Sequence, residues 1–158
     1  MKKKFFWNFF FILTVFLLDR VSKISIINLL ENSDNGHIQV TNFLSFNLIW
    51  NEGIAFGLFS FDQELYYNFL TIIIILVTII ILWMIIKTKG LEKIAFLMIF
   101  GGSLGNIFDR LVYSSVPDFI DLHYNNFNWF IFNVADIFIS IGIILLIYLE
   151  FFKKKINE

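Results

Sequence analysis

The chain has 158 residues, 58% of them hydrophobic, with 22 Phe, a single Pro and a mean hydropathy of +0.78, which excludes an ordinary soluble domain and specifies a polytopic membrane protein. A formal net charge of −1 suggests neither a nucleic-acid partner nor a uniformly basic membrane-surface domain. The absence of Cys excludes disulfides, thiolate metal sites, a cysteine nucleophile and a lipid-modified Cys on the chain itself.

About 20 apolar residues cross a bilayer as a helix, and the first such stretch runs over about residues 5–30, interrupted by DRVSK (19–23). Its basic start and apolar core also fit a secretory signal peptide. No small-x-small cleavage site follows, however, and the chain returns to apolar residues, so an uncleaved span is expected. Asp19 and Lys23 lie four apart and share a helical face, where they can neutralise one another.

The outer loop that follows is too long for a plain connector. In IQVTNFLSFNLIWN (38–51), apolar Ile38, Val40, Leu44, Phe46, Leu48 and Trp50 alternate with largely polar neighbours, which is strand periodicity. NEGIAFGLF (51–59) then supplies Gly53 and Gly57 for tight turns or close approach of a ligand. A small antiparallel sheet is expected in this first outer loop, its apolar face against lipid or substrate.

The second span, 69–86, has no charge, and the short connection after it holds Lys87, Lys89 and Lys93. The third, about 94–112, carries GGSLGNIFDR. GGSLG matches G-x-S-x-G literally, but a nucleophile elbow needs a strand-to-helix turn and this segment lies within an apolar helical stretch. Gly101 and Gly105, four apart, read instead as a helix-packing face. Asn106 and Arg110 share a face, whereas Asp109 and Arg110, being adjacent, must each find partners elsewhere. Arg110 can snorkel to the headgroups, pair with a carboxylate, or read a lipid phosphate or peptide carbonyl. DFIDLH (118–123) brings two acids and one His, a poor zinc set without H-E-x-x-H, so no metal is expected.

The fourth span, about 129–149, contains Asn133 and Asp136. A charge within a bilayer-spanning helix costs roughly 2.5–3.5 kcal/mol on insertion scales, so Asp136 calls for a partner. Counted from Trp129 at 1.5 Å per residue, it lies about 10 Å below the outer interface, within reach of Asp118 at the mouth of the third span. Two carboxylates held close share a proton, and such a pair can activate water and polarise a carbonyl. Spacing leaves a second reading equally open, in which Asp136 balances Arg110 or Lys23 in a structural ion pair. A small proton-coupled transporter or channel subunit, with Asp136, Asp118 and Arg110 as a relay, and a purely structural subunit are further readings. The relay lacks an inverted repeat and polar residues in the cytoplasmic halves of the spans.

Nine of the 12 basic residues lie at the termini and in the connection between the second and third spans, while the other two loops hold only acids. The positive-inside rule makes both termini cytoplasmic. No repeat or linker divides the chain, so 1–158 is expected to be one membrane domain, all-α with four transmembrane helices and the small sheet.

DRVSK (19–23), NEGIAFG (51–57), GGSLGNIFDR (101–110), VPDFID (116–121) and FNVADIFISIG (132–142), in this order and spacing, resemble the lipoprotein signal peptidases, or signal peptidase II. The resemblance covers nearly the whole chain. It implies an intramembrane aspartic endopeptidase of the bacterial cytoplasmic membrane that removes the signal peptide from prolipoproteins, cutting before a diacylglyceryl-modified Cys without metal or cofactor. It implies catalytic roles for Asp118 and Asp136, supporting polar roles for Asp19, Lys23, Asn51, Asn106, Arg110 and Asn133, and close packing at Gly53, Gly102, Gly105 and Ala135. The prolipoprotein and membrane lipids are the implied partners, and globomycin the implied inhibitor. One departure is Arg20, where the family's first block commonly has Gln; a local change in headgroup or loop contacts is expected there.

Overall fold

A computed structural model describes residues 2–31, 36–53, 63–124 and 127–157. Where apolar residues run long enough, the chain is helical: α1 (Lys2–Glu31), α2 (Gln63–Lys87), α3 (Gly90–Tyr113) and α4 (Val134–Asn157). Three of these contain stretches long and apolar enough to cross a membrane, Leu65–Lys87, Gly90–Tyr113 and Val134–Phe152. The 30-residue α1 carries Asp19, Arg20 and Lys23 in its second half. Large apolar side chains such as Ile72, Leu76 and Ile79 on α2 and Ile144 and Ile147 on α4 stand exposed, a surface suited to lipid rather than water.

The helix α3 is the hub, packing against α1, α2 and α4. Glycine makes this possible. A Cβ on Gly101 would meet Val15 of α1, and one on Gly105 would meet the Asp19 carboxylate at 2.5 Å. On the adjoining face a Cβ on Gly102 would lie 2.6 Å from the backbone oxygen of Ala135 in α4. Backbone cannot give way as a flexible side chain can, so Gly102→Ala is expected to cost about 1–3 kcal/mol through overpacking. The drop in melting midpoint of the solubilised protein measures it, and an unchanged midpoint would refute the close approach.

Four strands, β1 (His37–Gln39), β2 (Leu44–Asn51), β3 (Val116–Tyr124) and β4 (Phe127–Phe132), form one antiparallel sheet in that order. The alternating stretch of the first loop supplies β1 and β2, as its periodicity predicts. The sheet is larger than expected because the second loop supplies β3 and β4. The helix α4 begins only at Val134, and residues 129–132, expected to open the fourth span, instead belong to the strand β4. Its run FNWFIF is apolar without alternation, a pattern that does not separate strand from helix. Ser114, in the left-handed region at φ 55°, ends α3 and turns the chain into β3. The β2–β3 register sets Asn51 opposite Val116 and Ile49 opposite Asp118, bringing the ends of both outer loops to one place.

Candidate active site

The sequence Asn133-Val134-Ala135-Asp136 is a helix start. Asn133 caps α4: its Oδ1 accepts from the Asp136 N–H at 3.2 Å, and Asp136 Oδ2 accepts from the Asn133 N–H at 3.1 Å. This reciprocal pair is the capping-box arrangement. It places Asp136 in the first turn of α4, where the helix dipole favours a negative charge. The acid is therefore shallower in its helix than the count from Trp129 placed it.

The cap also reaches the second acid. The amide nitrogen Nδ2 of Asn133 donates to Asp118 Oδ1 at 2.6 Å, and Asn51 Nδ2 donates to Asp118 Oδ2 at 2.8 Å. Asn51 sits diagonally across the β2–β3 ladder from Asp118, on the same face of the sheet. On the other side, Asn106 Nδ2 of α3 donates to Asp136 Oδ1 at 2.9 Å. Each asparagine is held the right way round because a donor occupies its oxygen: the Gly53 N–H on Asn51 at 2.7 Å, Lys23 Nζ on Asn106 at 2.9 Å, and the Asp136 N–H on Asn133. Gly53 closes this turn at φ +80°, and its missing Cβ leaves room for Leu70 and Arg110.

Asp118 is only 4% exposed. Burial pushes its carboxyl above the ordinary carboxylate range; the Asn51 and Asn133 amides oppose this, and the nearby Asp136 charge adds to the rise. Asp118 lines a cleft of 340 Å³ together with Ile49, Trp50, Asn51, Glu52 and Ile131. Two carboxylates bridged by one asparagine, with Asp118 lining the cleft, can titrate as a coupled pair.

Asn133 separates two effects that one substitution can distinguish. Asn133→Ser keeps a capping oxygen but lacks the amide on Asp118, whereas Asn133→Ala lacks both. The serine protein is expected to be more stable than the alanine protein by about 1 kcal/mol. Both should lose turnover about ten- to hundredfold, the value of a hydrogen bond to a charged group. Melting midpoints and turnover measured side by side check this, and wild-type turnover in Asn133→Ser would refute the role of the amide.

Beneath the two acids lies a buried cluster of charge. Lys23 Nζ donates to Asp109 at 2.6 Å, Asp19 at 3.0 Å and Asn106 at 2.9 Å, using all three of its hydrogens. Asp19 Oδ1 accepts from the Ala135 N–H at 3.0 Å, which ties α1 to the start of α4. The Asp19–Lys23 pairing is thus present. Asp136, by contrast, forms no ion pair with Lys23 or Arg110 among the described residues and is held by asparagines instead.

The expectation for Arg20 needs correction. Rather than facing headgroups or a loop, it is 9% exposed and grips both oxygens of Asp109 through Nη1 and Nη2, with Nη2 also 2.7 Å from Asp19. Arg20 and Lys23 are three apart on a helix and so share a face, a signal that could have found it. Arg110 lies over the Tyr67 ring at 5.3 Å, with Nε and Nη1 buried and without hydrogen-bond partners among the described residues. Ser103 is inside α3, away from any strand-to-helix turn, and His123 belongs to β3. Of NEGIAFGLF (51–59), residues 54–59, Gly57 among them, lie outside the described residues.

Comparison with known proteins agrees with this arrangement of elements. The family that matches residues 11–152 is described as Signal peptidase (SPase) II. A lipoprotein signal peptidase of Pelagibacter ubique is 50% identical over 158 residues, covering 99% of this chain and 95% of the relative. One from Aquifex aeolicus is 43% identical over 143 residues, covering 89% and 83%. A solved bacterial membrane enzyme, determined by the in meso method at 2.3 Å resolution, superposes with a TM-score of 0.77 at 30% identity, over 96% of this chain and 90% of the other.

Proposed function

This chain belongs to the signal peptidase II family, and we propose that Asp118 and Asp136 form the aspartic dyad with which it removes signal peptides from prolipoproteins. The observation that carries this reading is the bridge through Asn133, whose side-chain amide meets Asp118 and whose backbone N–H meets Asp136. With one proton on the pair, the ionised carboxylate takes a proton from water as the oxygen attacks the scissile carbonyl carbon. The protonated partner donates its hydrogen bond to the carbonyl oxygen. Collapse of the tetrahedral diol breaks the C–N bond, and the leaving amine takes up a proton from the dyad.

The substrate is a prolipoprotein cut just before a Cys carrying diacylglycerol, and neither metal nor cofactor takes part. A lipid-tethered cleavage site is presented at the membrane interface, which suits acids at the start of α4 beside a sheet rather than at the middle of a helix. Four helices, α1 among them, span the bacterial cytoplasmic membrane as one domain over 1–158. Both termini are cytoplasmic and the sheet is on the outer side, in keeping with nine of 12 basic residues on one side. Asn51, Asn106, Asn133 and Arg110 satisfy peptide groups that lipid cannot, membrane lipids surround the cleft, and a globomycin-like inhibitor occupies the dyad. A proteolytic family leaves no need for the transporter or structural-subunit readings.

The test uses the protein in lipid nanodiscs with a diacylglyceryl-modified prolipoprotein, its unmodified form and a chelator, with products identified by mass. A single cut before the modified Cys, insensitive to chelator and blocked by globomycin, is expected. Equal cleavage of the unmodified form, or a cut elsewhere, would overturn the assignment of substrate.

A further inference from the structure

Four ionised side chains meet in the interior between α1, α3 and α4. Asp19, Lys23 and Asp109 are at most 1% exposed and Arg20 is 9% exposed. Their charges balance, two cations against two anions, which is the condition for keeping such groups buried. The guanidinium is the larger part of that balance. It spans both oxygens of Asp109 and the near oxygen of Asp19, and it rests over the Phe108 ring at 4.9 Å. A planar fork of this kind holds two carboxylates in one geometry, which an ammonium cannot do.

That balance decides what Lys23 is free to do. With Arg20 present, Lys23 Nζ divides its three hydrogens between Asp19, Asp109 and the Asn106 oxygen. The last contact turns the Asn106 amide so that its nitrogen meets Asp136. Without Arg20, a single ammonium faces two buried carboxylates and is drawn between them, away from a neutral amide. The path from Arg20 to Asp136 is therefore a chain of direct contacts: Arg20, Asp109, Lys23, Asn106, Asp136.

We infer that Arg20 is a positioning residue for proteolysis, neutralising Asp109 and Asp19 so that Lys23 holds Asn106 and Asn106 holds Asp136. It acts through these residues and not on the reacting atoms, and the inference rests on the reading of Asp136 as a member of the dyad.

The test compares wild type, Arg20→Gln, Arg20→Lys and Asp136→Asn in nanodiscs, measuring kcat and KM on the diacylglyceryl-modified prolipoprotein and, separately, the melting midpoint. Arg20→Gln is expected to lower kcat about tenfold with KM within twofold of wild type, since an interaction on a charged group is loosened without change to the substrate surface. Arg20→Lys keeps the charge but reaches one carboxylate at a time, so kcat falls by an intermediate factor of about three.

A lower midpoint with wild-type kcat in Arg20→Gln would make the residue merely structural and overturn the inference. If Arg20→Gln does not accumulate, Arg20→Lys decides: an intermediate kcat at constant KM supports positioning, and wild-type kcat overturns it. Asp136→Asn separates the two levels. Its inactivity beside an unaffected Arg20→Gln means that the dyad stands and the inference fails, whereas an active Asp136→Asn removes the dyad reading on which the inference rests.

Discussion

Asp118→Asn and Asp136→Asn are each expected to lower release of the signal peptide from a diacylglyceryl-modified prolipoprotein by about 10³-fold, within the range that positioned acid–base groups contribute. An amide can neither take the proton from water nor supply one to the leaving amine. Both proteins should insert and accumulate, since Asp136 and Asp118 serve no ion pair among the described residues. The gel shift of the substrate reads the result, and unimpaired cleavage by either variant would end the two-aspartate mechanism.

The same substitution at Asp118 carries a signature in stability. Burial raises its folded-state carboxyl above the ordinary value of 3.8, so the folded protein binds that proton more tightly than the unfolded chain does. Its stabilising contribution is complete below 3.8 and is lost as pH rises through the raised value. Asp118→Asn has no such titration. The melting midpoint of the variant relative to wild type should therefore climb with pH across that window, and a difference that falls with pH would contradict the direction of the shift.

The second large effect is on the fold. Lys23→Met leaves Asp19 and Asp109 facing Arg20 alone, one anion in excess at full burial, and strips the donor from Asn106. Breaking a buried ion cluster by removing one partner costs about 3–5 kcal/mol, enough to deplete folded protein in the membrane. Lys23→Met/Asp109→Asn returns the cluster to neutrality and should recover part of the loss. Accumulation and melting of the single and double variants measure the coupling, and independent, additive losses would show that the charges do not act as a unit.

GGSLG is a poor guide to chemistry but a good one to packing, because glycine in an apolar helix allows two backbones to approach. Gly101 and Gly105 meet α1 and Gly102 meets α4, so a motif of five residues organises three helices. Which neighbour each glycine meets could not be read from spacing.

By itself the sequence determined the class, the family and the β1–β2 periodicity, since these follow from composition, five ordered motifs and local period. Tertiary structure alone decided the rest. Whether Phe127–Phe132 becomes strand or helix depends on pairing with Ile120 and Asp121 across β3, a non-local hydrogen-bonding choice that an apolar run does not encode. The partner of Asp136 was equally hidden. Spacing offered Arg110 or Lys23, but Asn106 and Asn133 took the place of a cation, because a capped helix start and a lysine whose three hydrogens go to two aspartates and Asn106 leave it neutral donors among the described residues. Arg20 turned inward for the same reason: Asp109, 89 positions away in the chain, needed a second charge in a place where neither water nor headgroups could supply one.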